Sequence, residues 1–314
     1  MPDDVYTHGR DESDDVYTHG RDESDDVYTH GHDESDDVYT HGRDESDDVY
    51  THGHDEAVLR SHRWRTAENS AGYLLPHLAP GLDLLDVGCG PGTLTVDLAA
   101  RVAPGRVVGV DAAADVVAAA AEHVAEAGAG TVTLVAGDFR DPGLDLGGGF
   151  DVVHAHQVLQ HLRDPVGALA AMAALARPGG GLVAARDGDY AAMHWAPADE
   201  RLDRWSAVYH AVTRANGAEA DAGRHLLGWA RAAGLDDVTY TTSTWSFATP
   251  DDRAWWAGLW AERITATTLA DQAIEYGIAT RADLEDIAAG WRAWAADPGA
   301  VFVVPHGEIL ARVS

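Results

Sequence analysis

Residues 84–93 read Leu84-Leu85-Asp86-Val87-Gly88-Cys89-Gly90-Pro91-Gly92-Thr93. An apolar run leads to an acidic residue, after which three glycines alternate with other residues. This order predicts a buried strand, then a glycine-rich turn, then a helix that begins near Leu94. Glycine is required where the backbone takes a positive φ or where a ligand lies against the main chain. The stretch therefore predicts a ligand-binding turn at the end of the first strand.

Two other interpretations of this turn stay open. A nicotinamide-binding turn has the spacing G-x-G-x-x-G, whereas Thr93 and Thr95 stand three residues after Gly90 and Gly92. The spacing therefore disfavours a dinucleotide. The second alternative is a structural glycine turn that binds no ligand.

Apolar runs and helical segments alternate beyond the turn. Strands are predicted at residues 106–111, 131–135, 150–155 and 182–185, and helices at 94–101, 113–127 and 165–176. This alternation predicts an α/β fold with a doubly wound, mostly parallel sheet. In such a sheet a ligand lies at the carboxyl ends of the strands.

Polar residues follow these predicted strands at the ends where a ligand would lie. Asp86 is at the end of the first strand and Asp111, 23 residues beyond Gly88, is at the end of the second. A carboxylate at the position of Asp111 can accept hydrogen bonds from both ribose hydroxyls, or it can cap the following helix. Asp138 and His156 follow the third and fourth strands in the same way.

These motifs resemble those of class I S-adenosylmethionine-dependent methyltransferases, in the ubiquinone/menaquinone C-methyltransferase-like group. The resemblance covers residues 57–314 and implies a seven-stranded, Rossmann-like sheet with S-adenosylmethionine as the cofactor. Asp111 would bind the ribose, Asp138 would accept from the adenine amino group, and Phe139 would pack on the ring. The full set of cofactor-binding residues that the resemblance implies is Asp86, Gly88, Gly90, Gly92, Asp111, Asp138, Phe139 and His156.

The acceptor and any catalytic base are not identified by these motifs. Methyl transfer from a sulfonium requires alignment and exclusion of water, with a base near the methyl group for some acceptors. The candidates for such a base are His161, Tyr190, His156 and Asp187, of which we retain His161 and Tyr190. A purely structural role is the alternative for each. No catalytic residue is assigned.

The segment before the first strand contains two arginines, Arg63 and Arg65. In related enzymes a helix here covers the cofactor, and an arginine contacts its methionine carboxylate. The alternative is an amphipathic helix that packs on the sheet, with its apolar face formed by Trp64, Ala67, Ala71 and Leu74.

The alternation stops after Tyr190. Helices are predicted at residues 199–216, 223–233 and 281–295, with a further one after the cap at Thr249, and strands at 238–247 and 301–313. Pro305 in the last strand suggests an edge or a bulge. Residues 191–235 and 249–297 are predicted to form a helical cap over the substrate side. This insertion disfavours a quinone substrate.

Tryptophan is concentrated in this C-terminal part, where nine of the ten occur. Tryptophans suit an apolar pocket with a few hydrogen-bond donors, so they predict a small apolar or aromatic acceptor under the cap. Packing of the cap onto the sheet is the alternative reason for their presence.

Residues 1–57 contain five copies of an eleven-residue unit that begins at Asp3 and recurs up to Asp47. Each copy has a single Val-Tyr pair as apolar content, so this tract is predicted to be disordered and dispensable for folding and cofactor binding. Metal capture by its histidines and carboxylates is an alternative. Residues 58–314 are predicted to form the methyltransferase domain, with residues 82–190 as its cofactor-binding core.

The formal net charge is −30, and the chain contains no lysine. This composition disfavours nucleic acid and anionic membranes as partners. Cys89 is the single cysteine, which excludes an intramolecular disulfide and a thiolate-rich metal site. No secretory signal or membrane-spanning run is present, so a soluble, cytoplasmic enzyme is expected. A non-catalytic S-adenosylmethionine-binding scaffold and, less favoured, a nicotinamide-dependent oxidoreductase are the alternative functions.

Overall fold

The structure, a computed structural model, describes Asp48 and residues 64–314. Eight strands of this part form one sheet. They are β1 (Leu84–Val87), β2 (Val107–Asp111), β3 (Val132–Ala136), β4 (Val152–His156), β5 (Leu182–Gly188), β6 (His194–Ala196), β7 (Asp237–Phe247) and β8 (Val301–Arg312). The helices are α1 (Ala67–Ser70), α2 (Thr93–Val102), α3 (Ala114–Glu126), α4 (Pro165–Leu175), α5 (Glu200–Ala215), α6 (Ala222–Ala232), α7 (Pro250–Ala266), α8 (Thr268–Glu275) and α9 (Arg281–Ala296).

The first five strands are parallel, in the order β3-β2-β1-β4-β5. β8 then pairs antiparallel with β5, and β7 pairs antiparallel with β8. The central strands β1, β4 and β5 are buried along their whole length, because helices cover both faces of a parallel sheet. The predicted α/β fold is therefore confirmed. The short strand β6 is the one that the prediction of seven strands did not include.

Each face of the sheet has its own apolar core. On one face, α4 and α6 pack through residues such as Leu169 and Leu226, and on the other α2 packs through Leu94 and Leu98. The position of α6 differs from the prediction, which assigned residues 191–235 to the cap. Leu226 and Ala230 of α6 are buried against the sheet, because they lie one turn apart on the apolar face of that helix.

We call the layer formed by α5, α7, α8 and α9 the helical cap. Its core is aromatic and includes the fully buried indoles of Trp205, Trp260 and Trp291. α7 and α9 begin at capping boxes, in which Thr249 and Thr280 accept hydrogen bonds from backbone N–H groups. The apolar face of α9, formed by Leu284, Ile287, Trp291 and Trp294, is buried in this core.

Pro305 lies in the interior of the sheet, so the predicted edge position is wrong. β8 pairs with β7 on one side through residues 302–312, whereas its other side pairs with β6 at residues 301–303 and with β5 at residues 306–312. Pro305 falls between the β6 and β5 partners, and its carbonyl accepts from the Asp189 N–H. Proline has no N–H to donate. At this position that costs no hydrogen bond of the sheet, because residue 305 lies at the break between the two partner strands β6 and β5.

Among residues 64–314, no helix combines the length and the apolar character needed to cross a bilayer. Asp48 is the one described residue of the repeat tract. Apart from Asp48, the residues for which disorder was predicted lie outside the described part of the chain. Arg63, considered as a contact of the methionine carboxylate, lies outside it as well.

Candidate functional site

The glycine turn connects β1 to α2, and its three glycines all have positive φ: 66° at Gly88, 53° at Gly90 and 78° at Gly92. At Gly88 a Cβ atom would stand 2.4 Å from the Val158 side chain, so this position excludes larger residues sterically as well. The Gly88 N–H donates to the Val110 carbonyl of β2, which holds the turn at the ends of the first two strands.

A cavity of about 410 Å³ opens beside this turn at the carboxyl ends of the parallel strands. We call it the large cavity. Seven of the eight predicted cofactor-binding residues line it: Asp86, Gly88, Gly90, Asp111, Asp138, Phe139 and His156. Gly92 does not line it. Its Cα faces Ala120 of α3, where a Cβ atom would come within 3.3 Å, so this glycine permits close packing of the turn on α3.

The Asp111 carboxylate is held by two backbone donors. Its Oδ2 accepts from the Gly90 N–H at 3.0 Å and its Oδ1 accepts from the Ala113 N–H at 3.1 Å. An ionised carboxylate has about four acceptor positions, so capacity remains for two hydroxyl donors. The alternative role as a helix cap is not realised: Ala113 is the N-cap residue of α3 and no side chain caps this helix, so the bond from the Ala113 N–H to Asp111 closes a turn before it.

Asp86 is buried, and its carboxylate is engaged on both oxygens. Oδ2 accepts from the Thr95 hydroxyl at 2.6 Å, and Oδ1 is 2.9 Å from His154 Nδ1. Because a carboxylate next to an imidazole Nδ1 accepts, His154 carries its proton on that nitrogen. Asp86 therefore ties β1 to α2 and β4 while it lines the large cavity.

Asp138 pairs with Arg140 through both carboxylate oxygens, at 2.7–3.1 Å. The hydrogen bonds from Arg140 lower the pKa of Asp138. Arg140 also donates to Asp48 at 2.5 Å, and Asp48 accepts from the Arg163 N–H at 2.7 Å. Asp48 and Arg140 both line the large cavity. A residue of the fifth repeat copy thus borders the site, which the sequence did not lead us to expect.

His156, at the end of β4, is buried, and neither ring nitrogen has a hydrogen-bond partner among the described residues. Burial, together with the charges of Arg65 and Arg186, holds its pKa well below the ordinary range. The ring is therefore neutral at physiological pH.

A chain of hydrogen bonds runs from Arg65, which lines the large cavity, to His306 of β8. Arg65 donates to the Gln157 side-chain oxygen. The Gln157 amide is 3.0 Å from His306 Nε2, and His306 Nδ1 donates to the Val304 carbonyl at 3.0 Å. Because a carbonyl only accepts, Nε2 of His306 is the acceptor for Gln157. Arg65 is thereby connected to β8.

A second, smaller cavity of about 30 Å³ lies between the large cavity and the helical cap. We call it the cap cavity. Three residues, Arg65, Gln157 and His161, line both cavities. The other residues that line the cap cavity are Trp64, Gln160, Tyr190, Met193, Trp245, Trp255, Trp256, Trp260, Arg263 and Val304.

The two candidate bases, His161 and Tyr190, both line the cap cavity, but neither titrates near neutral pH. Burial and the charges of Arg65 and Arg263 lower the pKa of His161 to about 3. Burial raises the pKa of Tyr190 above its usual value. Asp187, which was also considered as a base, lines neither cavity, and burial raises its pKa to about 7.

Several residues near these cavities were not singled out from the sequence. Arg186 of β5 is buried, pairs with Glu308 at 3.2 Å and lies over the Trp245 ring at 4.9 Å. Arg263 of α7 lies over the Trp260 ring at 5.2 Å. Only the position of Gln157, two residues after the predicted strand at 150–155, was a usable sequence signal. The others come from distant segments.

A parallel sheet extended by antiparallel strands, with a glycine turn and a carboxylate at neighbouring strand ends, is typical of class I S-adenosylmethionine-dependent methyltransferases. The family model described as "Methyltransferase domain" matches residues 85–182. The chain belongs to this methyltransferase family, because it is 30% identical over 269 residues to an uncharacterized methyltransferase of Schizosaccharomyces pombe. That match covers 81% of this chain and 92% of the relative.

Two further relatives match different shares of the chain. "Probable methyltransferase ltbC" of Aspergillus luteorubrus is 27% identical over 269 residues, which are 81% of this chain and 93% of the relative. Nocamycin O-methyltransferase of Saccharothrix syringae is 46% identical over 102 residues, 32% of this chain and 36% of that protein. The protein is thus an S-adenosylmethionine-dependent methyltransferase. The large cavity fits this cofactor, because the glycine turn and the Asp111 carboxylate face the same space.

Proposed function

We propose that the protein transfers a methyl group from S-adenosylmethionine in the large cavity to a small apolar or aromatic acceptor in the cap cavity. The observation that carries this proposal is that Arg65, Gln157 and His161 line both cavities. The two compartments therefore meet at these side chains, which is where a methyl donor and its acceptor have to meet.

We propose that three groups of residues in the large cavity contact three parts of the cofactor. The Asp111 carboxylate would accept from the ribose hydroxyls, Asp138 and Phe139 would contact the adenine, and the Gly88–Gly92 turn with Asp86 would face the methionine part. The cofactor supplies a methyl group already activated on a sulfonium, so the chain has to align the acceptor and exclude water. The aromatic side chains of the cap serve the second task.

The lining of the cap cavity supports an aromatic or apolar acceptor. Five of its thirteen lining residues are tryptophans. Trp256 stacks on Phe247 with ring centroids 4.2 Å apart, and Trp64 contacts Trp245 edge-on at 5.1 Å. These ring contacts form one aromatic wall, in which Trp256 is buried and Trp64 is half-buried. Since the cavity of about 30 Å³ holds about one water-sized group, a larger acceptor enters only if the half-buried rings of Trp64 and Trp255 move.

The proposal is tested by screening small aromatic acceptors with the purified full-length protein and measuring the release of S-adenosylhomocysteine. The matched variant is Met193→Phe, which fills the cap cavity without touching the large cavity. We expect S-adenosylhomocysteine to bind this variant within about twofold of the wild-type Kd, and turnover to fall about tenfold or more, as overpacking a small pocket displaces its occupant.

Three results would contradict the proposal. Tritium from labelled cofactor recovered in RNA or protein, with none in small molecules, would place the acceptor elsewhere. Unchanged turnover in Met193→Phe would separate the acceptor from the cap cavity. Cofactor binding without turnover of any acceptor would favour a non-catalytic scaffold.

A further inference from the structure

A short turn of 3-10 helix, Leu159–His161, follows β4 and lies where the two cavities meet. We call it the junction turn. His161 lines both cavities, Gln160 lines the cap cavity, and all three residues of the turn are buried. A displacement of this turn would therefore change the wall of the cap cavity and, at His161, the wall of the large cavity as well.

Asp187 of β5 holds the junction turn, although it lines neither cavity. Its side chain is fully buried, and its Oδ1 accepts from the Gln160 N–H at 3.1 Å. Gly188, the next residue of β5, donates its N–H to the side-chain oxygen of Gln160 at 3.2 Å. The main chain and the side chain of Gln160 are thus bound to two consecutive residues of β5.

The connection continues from Gln160 to His161. Because the side-chain oxygen of Gln160 accepts from Gly188, its NH2 group is the one that lies 3.1 Å from His161 Nε2. An amide NH2 group only donates, so Nε2 accepts and the neutral ring carries its proton on Nδ1. Through Gln160, Asp187 therefore acts on the position and the tautomer of a ring that lines both cavities.

A carboxyl group at position 187 is not explained by the stability of the fold. Burial raises the pKa of Asp187 to about 7, and hydrogen bonds from the N–H groups of Gln160 and Leu159 oppose this rise. Because an unfolded aspartate titrates near about 3.9, the contribution of Asp187 to folding falls as the pH rises from about 4 to about 7. An uncharged acceptor would avoid this loss, so the carboxyl is typical of a functional position.

The other ionisable groups around Asp187 do not account for a transition near pH 7. On the elements packed around it, the charged and titratable side chains are Arg186 on β5, Arg65 ahead of α1, His156 on β4, His161 on the junction turn, His306 and Glu308 on β8, and Arg224 on α6. Burial lowers the pKa of all three histidines, so they are neutral near pH 7. Arg186 pairs with Glu308, and Arg224 pairs with Asp189.

We propose that Asp187 is a positioning residue for methyl transfer, which through Gln160 holds the junction turn and His161 between the cofactor and the acceptor. This inference rests on the proposed acceptor site in the cap cavity. Water that reaches the Gln160 N–H also reaches the carboxylate 3.1 Å away, so opening of the turn hydrates Asp187. By linkage, ionisation of Asp187 favours the open turn, and the turn is held most firmly at low pH.

Hydrogen exchange of the Gln160 amide reports this opening. It is measured by nuclear magnetic resonance on the full-length protein saturated with S-adenosylhomocysteine, with the intrinsic exchange rate divided out. In the wild type, the opening equilibrium should rise at least about tenfold between pH 5 and pH 7 and level off above about pH 8. Asp187→Asn keeps an oxygen acceptor without the ionisation, so its opening should be independent of pH. Asp187→Ala removes the acceptor and should lose about tenfold in protection at pH 5.

Turnover of an acceptor from the screen above is the second measurement. Because Asp187 lines neither cavity, both variants should bind S-adenosylhomocysteine within about twofold of the wild-type Kd. At pH 6, kcat should fall about tenfold or more in Asp187→Ala and about threefold at most in Asp187→Asn. The matched control is His210→Gln, because a hydrogen bond to Asp221 raises the pKa of His210, which lines neither cavity. This control should keep the pH dependence of the wild type.

The proposal is refuted if Asp187→Ala protects the Gln160 amide and turns over like the wild type. It is also refuted if wild-type opening is independent of pH between 5 and 7, if Asp187→Asn keeps the pH dependence, or if His210→Gln abolishes it. If Asp187→Ala does not fold, Asp187→Ser supplies the comparison with a shorter acceptor. The exchange measurement needs no acceptor. Protection that depends on Asp187 in a protein that turns over no acceptor would therefore refute the proposed function, and with it the role in methyl transfer, while the hold on the junction turn would stand.

Discussion

Asp111 offers the most direct test of the cofactor site, because its carboxylate is already oriented in the structure. The Gly90 and Ala113 N–H groups hold it at 3.0 and 3.1 Å, so binding a ribose would require little reorientation. In Asp111→Ala, the two proposed ribose hydrogen bonds to a charged acceptor are lost. That loss is worth about 1.5–3 kcal/mol, which corresponds to a Kd for S-adenosylhomocysteine raised about 10- to 150-fold.

The substitution also removes the acceptor of the Gly90 N–H, so part of the loss can come from the turn. Asp111→Asn separates the two contributions. It keeps an oxygen acceptor and the side-chain shape but removes the negative charge, so its Kd should lie between those of the wild type and Asp111→Ala. Asp115→Ala is the control, because Asp115 is an exposed carboxylate four residues along the chain that does not line the cavity.

Isothermal titration with S-adenosylhomocysteine measures these constants, and a thermal melt of each variant checks folding. A Kd for Asp111→Ala within about twofold of wild type, well below the calculated loss, would refute the assignment of Asp111 to the ribose. An equal loss in Asp115→Ala would show that general electrostatics, and not a direct contact, determines cofactor affinity.

Deleting residues 1–45 should leave Tm and the Kd for S-adenosylhomocysteine unchanged. Deleting residues 1–57 also removes Asp48, which pairs with Arg140, and should raise that Kd by about fivefold at most, because a partly exposed ion pair contributes little free energy. If calorimetry gives the same Kd for both deletions, the contact of Asp48 with Arg140 does not contribute to binding of S-adenosylhomocysteine. A hydrogen bond to Asp221 raises the pKa of His210. This raised pKa stabilises the fold below the unfolded-state pKa of about 6.5, and the contribution is lost as pH rises through the raised value. His210→Gln should therefore reduce unfolding free energy in urea at pH 5.5 more than at pH 9, and a pH-independent loss would contradict this.

The residues that line the large cavity at the strand ends could be predicted because each follows a local pattern that ends at a strand. Asp86, Asp111 and His156 all stand at the carboxyl end of a buried apolar run, and parallel strands bring such ends together. No long-range information was needed for that step. The one exception, Gly92, belongs to the same motif but packs on α3, since a positive φ can serve the backbone as well as a ligand.

The cap cavity, the proposed acceptor site, could not be predicted to the same extent, because its lining comes from segments far apart in sequence. Arg65 precedes the first strand, whereas Arg263 lies in α7, 198 residues further on. Helical periodicity indicates that a face of α7 is buried, but not which strand ends it covers. The error at Pro305 has a similar origin, because a break between two partner strands is a property of the assembled sheet and not of the local sequence.

Gln157 shows how the two cavities depend on each other. It is the one non-glycine residue among those described with a positive φ, 54°, a conformation that costs about 1–2 kcal/mol for an L-residue. The surrounding structure offsets this cost through three contacts: its N–H donates to the Arg186 carbonyl at 2.7 Å, and its side chain contacts Arg65 and His306. Glycine at this position would relieve the strain but would remove the side-chain hydrogen bonds to Arg65 and His306. Gln157 therefore couples Arg65, which lines both cavities, to His306 of β8.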